Sequence, residues 1–213
     1  LFNDRHPVQQ HNVSISGGGK AVRYFLSAGY DKQSGIHKIN PDEFRKLNVR
    51  ANIDANVKPW LKVSDNVSFF NSDYSYIGAN GSDDQDIFVN LRHCPASFPL
   101  FNPDGTGLYA NPLVSGYNVA NGRQIVLSMG KHKNDQKKFN FANTAEMVIT
   151  PVKQFNITAN VTYRRVQRDD SYRAVNIPYG IRPNEFDTYT TGAGENALTE
   201  RHRTYNYLSS NVF

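Results

Sequence analysis

Asp83, Asp84 and Asp86 crowd three carboxylates into one short stretch. Oxygen ligands of this kind suit a hard cation such as Ca²⁺, and they are the chain's candidate metal site. Their spacing does not follow the EF-hand pattern, so a solvated acidic loop tip is the competing reading. The histidines His6, His11, His37, His93, His132 and His202 are scattered, and no pair has metal-ligand spacing on a common element. His93 precedes the single cysteine, Cys94, but adjacent side chains on a strand point apart, so the two do not form a nucleophile pair. Gly17-Gly18-Gly19-Lys20 lacks the Ser or Thr that completes a phosphate-binding loop and leads into an alternating segment; it reads as a hairpin turn. No nucleophile elbow is present. The expectation is a protein with no catalytic residue and no cofactor.

The chemistry that remains is binding. Phe98, Phe101, Tyr109 and Tyr117, with the amide of Asn111, fall in a long non-periodic stretch. Aromatic faces and amides suit sugar rings or peptides. The same rings also suit pinning the loop down or contacting a partner, and the sequence leaves that choice open. A second set is regular. Lys46, Asn48, Arg50, Asn52, Asp54 and Asn56 occupy every even position of one segment, and Asn156, Thr158, Asn160 and Arg164 recur in another. Polar groups at this period belong on a hydrated surface, either hydrogen-bonded to neighbours and water or contacting a ligand.

Strands must position these groups. Between Leu47 and Val57 the odd positions are Leu47, Val49, Ala51, Ile53, Ala55 and Val57. At 100° per residue they would be smeared around a helix; at 180° they form one apolar face. Phe155, Ile157, Ala159, Val161 and Tyr163 repeat the pattern. Val22–Tyr30 alternates with Phe25 out of phase. Leu61–Phe69 is interrupted by Asp65, Phe139–Ile149 by Asn143, and Asn12–Ser16 is short but fits. Arg203–Phe213 reads as a strand whose face is ambiguous. The sum is about seven strands and little helix.

The connections alternate. Tight turns are predicted at 17–20, 58–60 and 151–154, and long connections at 31–43, 74–136 and 166–200. In an up-and-down sheet this gathers all tight turns at one end, the asymmetry of outer-membrane barrels. The alternation from Lys46 to Lys58 is longer than a typical soluble strand of ~5–6 residues and slightly exceeds the ~9–11 residues that cross a bilayer at a tilt. Trp60 and Phe155 stand at the turn end, Tyr30 and Tyr163 near the other, where aromatic girdles lie.

Composition narrows the class. Of 213 residues 38% are hydrophobic, with 13 Phe, 12 Tyr and 1 Trp, too aromatic for a disordered chain. No apolar run reaches the ~20 residues of a membrane-spanning helix. The net charge of +5 is dispersed, without the basic stripe of a nucleic-acid protein. One cysteine excludes a disulfide framework. A sheet in hydrocarbon must close on itself, and about seven strands is odd and below the smallest bacterial barrel of about eight. Further strands are therefore expected outside this chain.

Gln10–Gly19, followed by Val22–Tyr30, resembles the SusC/RagA family of TonB-dependent outer-membrane transporters. Asp31–Ile36, Arg45–Asp54 and Phe98–Gly105 resemble further stretches of that family in the same order. The resemblance implies that residues 1–213 are part of a single barrel domain of about 22 strands, with plug and remaining strands outside the chain. It implies import of oligosaccharides or peptides across the outer membrane of a Gram-negative bacterium. A SusD-like surface lipoprotein would act as lid, and TonB would be contacted through an N-terminal region not in this chain. Lys46, Asn48, Arg50, Asn52, Asp54, Asn156, Thr158 and Asn160 would then face lumen and plug, and the odd-numbered apolar residues would face lipid. Rival readings are a passive porin, a soluble β-sandwich carbohydrate-binding or adhesin module, and, last, an enzyme on a β scaffold.

Overall fold

The computed structural model describes residues 3–36, 38, 42–76, 133–182, 184–189 and 196–213. Nine strands account for nearly all of them: β1 (Val8–Gly18), β2 (Val22–Ser34), β3 (Glu43–Lys58), β4 (Leu61–Tyr76), β5 (Lys133–Val152), β6 (Phe155–Ala174), β7 (Ile177–Arg182), β8 (Glu185–Tyr189) and β9 (Ala197–Val212). Seven form one sheet in the order β1-β2-β3-β4-β5-β6-β9, and β7 and β8 pair separately. Every pairing is antiparallel. No helix among the described residues is long and apolar enough to cross a membrane.

Two features differ from the sequence reading. The strands are longer than the clean alternation, reaching 20 residues in β5 and β6. The connection between β6 and β9 is not wholly irregular, because it contains the β7–β8 hairpin. The tight turns stand where expected, shifted by one or two residues. At the first, Gly18 has φ 136°, a conformation that carries little penalty only for glycine. A Cβ there would lie 2.2 Å from the Val22 carbonyl oxygen. Asn56 on β3 holds this turn from the side. Its backbone N–H donates to Ala21 O at 2.7 Å and its Nδ2 to Lys20 O at 2.8 Å.

The register turns the alternation of single strands into rows across the sheet, since directly opposed residues share a face. One such row reads Ile15, Leu26, Ala51, Val67, Asn143, Tyr163, Leu208; another reads Val22, Ala55, Val63, Met147, Ala159, Val212. These rows make up an apolar face. No second sheet covers it among the described residues: Leu47, Ile53 and Val57 are 41, 49 and 53% exposed. On β3 the apolar stretch Leu47–Val57 spans roughly 33 Å at ~3.3 Å per residue. At a tilt of about 40° that is a band about 25 Å tall, the height of the apolar belt of a membrane barrel. Toward the long connections the same face becomes charged, with Lys32, Arg45, Asp73, Lys137, Asp169 and His202 in one row. The strands therefore run past the apolar band at that end.

The interruptions noted in β4 and β5 meet. Asn143 Nδ2 donates to Asp65 Oδ1 at 2.6 Å. The register sets Val67 opposite Asn143 and Asp65 opposite Ala145, so the two polar side chains are diagonal neighbours on the apolar face. Each supplies the partner that its apolar surroundings withhold.

Candidate functional site

The opposite face is polar, and the register gathers most of the regular polar set on it. Lys46 lies between Asp31 and Ser72, Asn48 between Gly29 and Phe70, Arg50 between Ser27 and Ser68, and Asp54 between Arg23 and Ser64. Asn52 stands between Phe25 and Asn66, which explains why Phe25 broke the phase of its strand: it belongs to this face. Thr158 and Asn160 lie on the same face of β6, opposite Val148 and Glu146. Asn156, beside the β5–β6 turn, accepts a hydrogen bond from Thr150 Oγ1 at 2.7 Å. The two groups are not one pocket. β4 and β5 separate β3 from β6, three strand spacings or about 14 Å.

Short polar contacts organise this wall. Lys46 Nζ reaches Asp31 Oδ2 at 2.8 Å. Lys62 Nζ lies 3.3 Å from Asp54 Oδ1, which also accepts from Ser64 Oγ at 2.6 Å. Thr144 and Thr162 hydroxyls are 2.9 Å apart, and Asn211 Nδ2 donates to Asn160 Oδ1 at 3.1 Å. Gly29 is buried, and a Cβ on it would fall 2.6 Å from Asn12 Oδ1 and 2.7 Å from Asn48 Oδ1. Its lack of a side chain lets these two amides lean together over the backbone.

The densest part lies beyond the alternation that the sequence makes obvious. Asp170 is 1% exposed and accepts from Gln136 Nε2 at 2.9 Å, Arg168 Nε at 3.0 Å and Arg203 Nη2 at 3.3 Å. It lies past the apolar band, since its neighbours on the other face are Asp169 and Ser171. Burial pushes its carboxyl up, but the bonds from Arg168 and Gln136 and the charges of Arg168 and Arg203 hold it below the usual carboxylate range. Around it stand aromatic rings: Tyr74 stacks on Tyr76 with centroids 4.7 Å apart, Phe44 meets Tyr74 edge-on at 6.3 Å, and the Arg201 guanidinium lies 5.8 Å from the Tyr172 ring centre. The sequence signal for this cluster is Gln167-Arg168-Asp169-Asp170 itself, a charged run that reads equally well as the start of a loop.

Charge is distributed unevenly between the faces. Clear of the turns, the polar face carries Arg23, Lys46, Arg50, Lys62, Lys138, Arg164, Arg168, Arg201 and Arg203 against Asp31, Asp54, Glu146 and Asp170. The apolar face and its charged extension are near balance among described side chains. There Lys32, Arg45, Lys137, Arg165 and Arg173 stand against Glu43, Asp65, Asp73, Asp135, Asp169 and Glu200.

On that charged extension His202 Nδ1 lies 3.0 Å from Asp169 Oδ1, and the other carboxylate oxygen, Oδ2, accepts from Gln167 Nε2 at 3.0 Å. The hydrogen bond to Asp169 raises the His202 pKa, and the same bond lowers that of Asp169. A raised histidine contributes stability that is fully present below its unfolded value of about 6.5 and lost as pH rises through the folded value. The lowered Asp169 contributes above about 3.9 and loses its contribution as pH falls through the folded value. The pair is therefore strongest in mildly acid solution. An NMR titration of the His202 ring is expected to give a midpoint above about 6.5, falling toward the ordinary value in Asp169→Asn, where Glu200 alone still favours the charged ring. A wild-type midpoint at or below 6.5 would exclude the pairing.

Phe98, Phe101, Tyr109, Asn111 and Tyr117, and the candidate metal residues Asp83, Asp84 and Asp86, lie outside the described residues. Among the described residues no three His, Cys, Asp or Glu side chains gather as metal ligands.

No family model matches the chain. Over 103 residues it is 32% identical to TonB-dependent receptor P26 of Formosa agariphila, a match that covers 47% of this chain and 9% of the relative. In fold it matches the RagAB peptide importer in the 'open-open' state with a TM-score of 0.59 at 16% identity, over 98% of this chain and 30% of that one. It matches the RagAB peptide transporter with a TM-score of 0.51 at 18% identity, over 96% of this chain and 29% of that one. The chain thus spans less than a third of the solved structures and about a tenth of the curated relative. The SusC/RagA resemblance seen in the hairpin motifs and the order of the strands lead to the same place: over part of its length the chain is similar in sequence to a TonB-dependent receptor, and its sheet has the fold of part of the RagAB importer structures.

Proposed function

We propose that this chain forms part of the wall of a TonB-dependent nutrient importer in the outer membrane of a Gram-negative bacterium. The observation that carries the reading is the pair of faces on one sheet. One is an uncovered apolar band of bilayer height, and the other is polar and rich in charge. An apolar surface of bilayer height on a sheet whose other face is polar suits lipid against it. The polar face then lines a wet lumen, with Lys46, Asn48, Arg50, Asn52, Asp54, Asn156, Thr158 and Asn160 turned toward water, plug or cargo. The cargo is an oligosaccharide or a peptide, captured first by the long outer connections that carry Phe98, Phe101, Tyr109, Asn111 and Tyr117. A SusD-like surface lipoprotein closes over that end, and TonB supplies the energy through a region outside this chain. The wall residues perform no bond chemistry; they bind, orient and hydrate.

The test uses the full-length protein in its native host. Deleting the gene is expected to abolish uptake of its cargo, and loss of TonB is expected to do the same with the protein still in the outer membrane. The SusD-like lipoprotein is expected to co-purify in detergent. Uptake that continues without TonB would point to a passive pore and overturn the importer reading.

A further inference from the structure

Among the described side chains clear of the turns, the polar face carries nine cations against four carboxylates, while the other face is near balance. This excess has a direction. Three of the four carboxylates are taken up locally: Asp31 by Lys46, Asp54 by Lys62, and Asp170 by Arg168 and Arg203. The other five cations, Arg23, Arg50, Lys138, Arg164 and Arg201, have no carboxylate within ion-pair distance among the described residues. Lys138, Arg168 and Arg203 stand abreast on β5, β6 and β9, so their charges add at one height of the wall, near the end that bears the long connections. Asp170 is the one carboxylate shared by the two arginines, so positive charge is left over at this height and favours a further anion.

The groups between these cations narrow the chemistry. Asn134 lies in the row between Tyr76 and Tyr172. It is 4% exposed, and its Oδ1 has no hydrogen-bond partner among the described residues. Such an acceptor calls for a donor, as a hydroxyl supplies. On β9, Tyr205 and Tyr207 present exposed rings beside Arg203. Ring faces, amides and hydroxyls between guanidinium groups match a hydroxyl-rich chain that carries planar or tetrahedral anions, and guanidinium forks bind such groups in two-pronged fashion.

We infer that the cargo is anionic: an oligosaccharide bearing carboxylate or sulfate groups, bound along this wall by the cations that have no carboxylate of their own. The inference rests on the importer reading above and adds the charge of the cargo to it.

The test is calorimetric binding to the full-length protein in detergent. The probes are a uronate oligosaccharide, a sulfated galactan oligosaccharide, a neutral glucan oligosaccharide of the same length and an oligoglutamate. At least one anionic glycan is expected to bind, more weakly as salt rises, while the neutral glucan does not. Arg50→Gln, Lys138→Gln and Arg201→Gln combined are expected to weaken that binding about tenfold or more, given a few-fold for each partly exposed charge. Lys138→Gln alone should weaken it about two- to fivefold, and it keeps the test open should the triple variant fail to fold. Arg165→Gln, on the other face, should leave it unchanged. Uronate against sulfate identifies the anion. Equal binding of the neutral glucan, or binding of oligoglutamate alone, overturns the inference and leaves the importer reading standing. TonB-independent uptake overturns both.

Discussion

Ala51→Arg in the full-length protein is expected to cost about 2–4 kcal/mol of folding stability in lipid vesicles, and Asn52→Arg close to nothing. The two positions are adjacent in sequence and opposite in environment. Ala51 lies between Leu26 and Val67 near the middle of the apolar band, and Asn52 between Phe25 and Asn66 on the polar face. An arginine at position 51 must carry its guanidinium into hydrocarbon or bend several ångströms to reach the interface. At position 52 it joins a wall that already holds Arg50 and Arg23. Urea titrations of the vesicle-folded protein give the difference directly. Equal losses at both positions would mean that the apolar face is not the lipid face. A larger loss at 52 would invert the orientation. Either outcome removes the basis of the proposed function, which rests on Leu47, Ile53 and Val57 standing exposed on a face that meets lipid.

How far the sequence leads can be judged from particular strands. β3 is legible from Lys46 to Lys58, where its two faces contrast at every step, and not at Glu43-Phe44-Arg45, where the contrast is lost. A single-strand reading needs that contrast, since alternation is its only evidence. β9 lacks it: Leu208 and Val212 on one face meet Tyr205 and Tyr207 on the other. Its facing follows only from register, with Tyr163 opposite Leu208 and Ala159 opposite Val212. The outer ends of β5 and β6 were illegible for a related reason. Past the band both faces are wet, so Lys137 and Lys138, or Asp169 and Asp170, give no alternation to read. The β7–β8 hairpin hides behind Pro178 and Gly180, residues that ordinarily argue against a strand. The polar wall was recognised at Lys46–Asn56 and at Asn156–Arg164. The carboxylate that Gln136, Arg168 and Arg203 converge on was not, because three strands contribute to it. Arg165 shows the reverse difficulty. It shares a row with Val49, Phe69 and Phe141 and by row count belongs inside the apolar band. Tilted strands cut a level interface at different rows, and on β6 and β9 the polar part of this face begins at Arg165 and Asn206, two rows nearer the turns than Arg45 on β3.

Asp65 and Asn143 allow a sharper test of the same environment. Asn143→Val is expected to destabilise the folded protein by about 1–3 kcal/mol, because it leaves a carboxyl oxygen on the apolar face without its donor. Asp65→Val is expected to be damaging in the same sense, leaving the Asn143 amide unpaired. The double variant Asp65→Val/Asn143→Val removes both polar groups and extends the run of Val63, Val67, Ala145 and Met147, so it should be at least as stable as the wild type. Replacing both partners of a hydrogen bond with apolar groups is nearly neutral or favourable where desolvation dominates. On a wet surface the outcome differs. Water would satisfy each orphan, the single variants would be mild, and the double variant would equal their sum. A double-mutant cycle separates the cases, with a coupling above about 1 kcal/mol expected for a pair in contact with lipid. An additive cycle would place Asp65 and Asn143 in water, and it would shrink the lipid-facing surface to the strands on either side of β4 and β5.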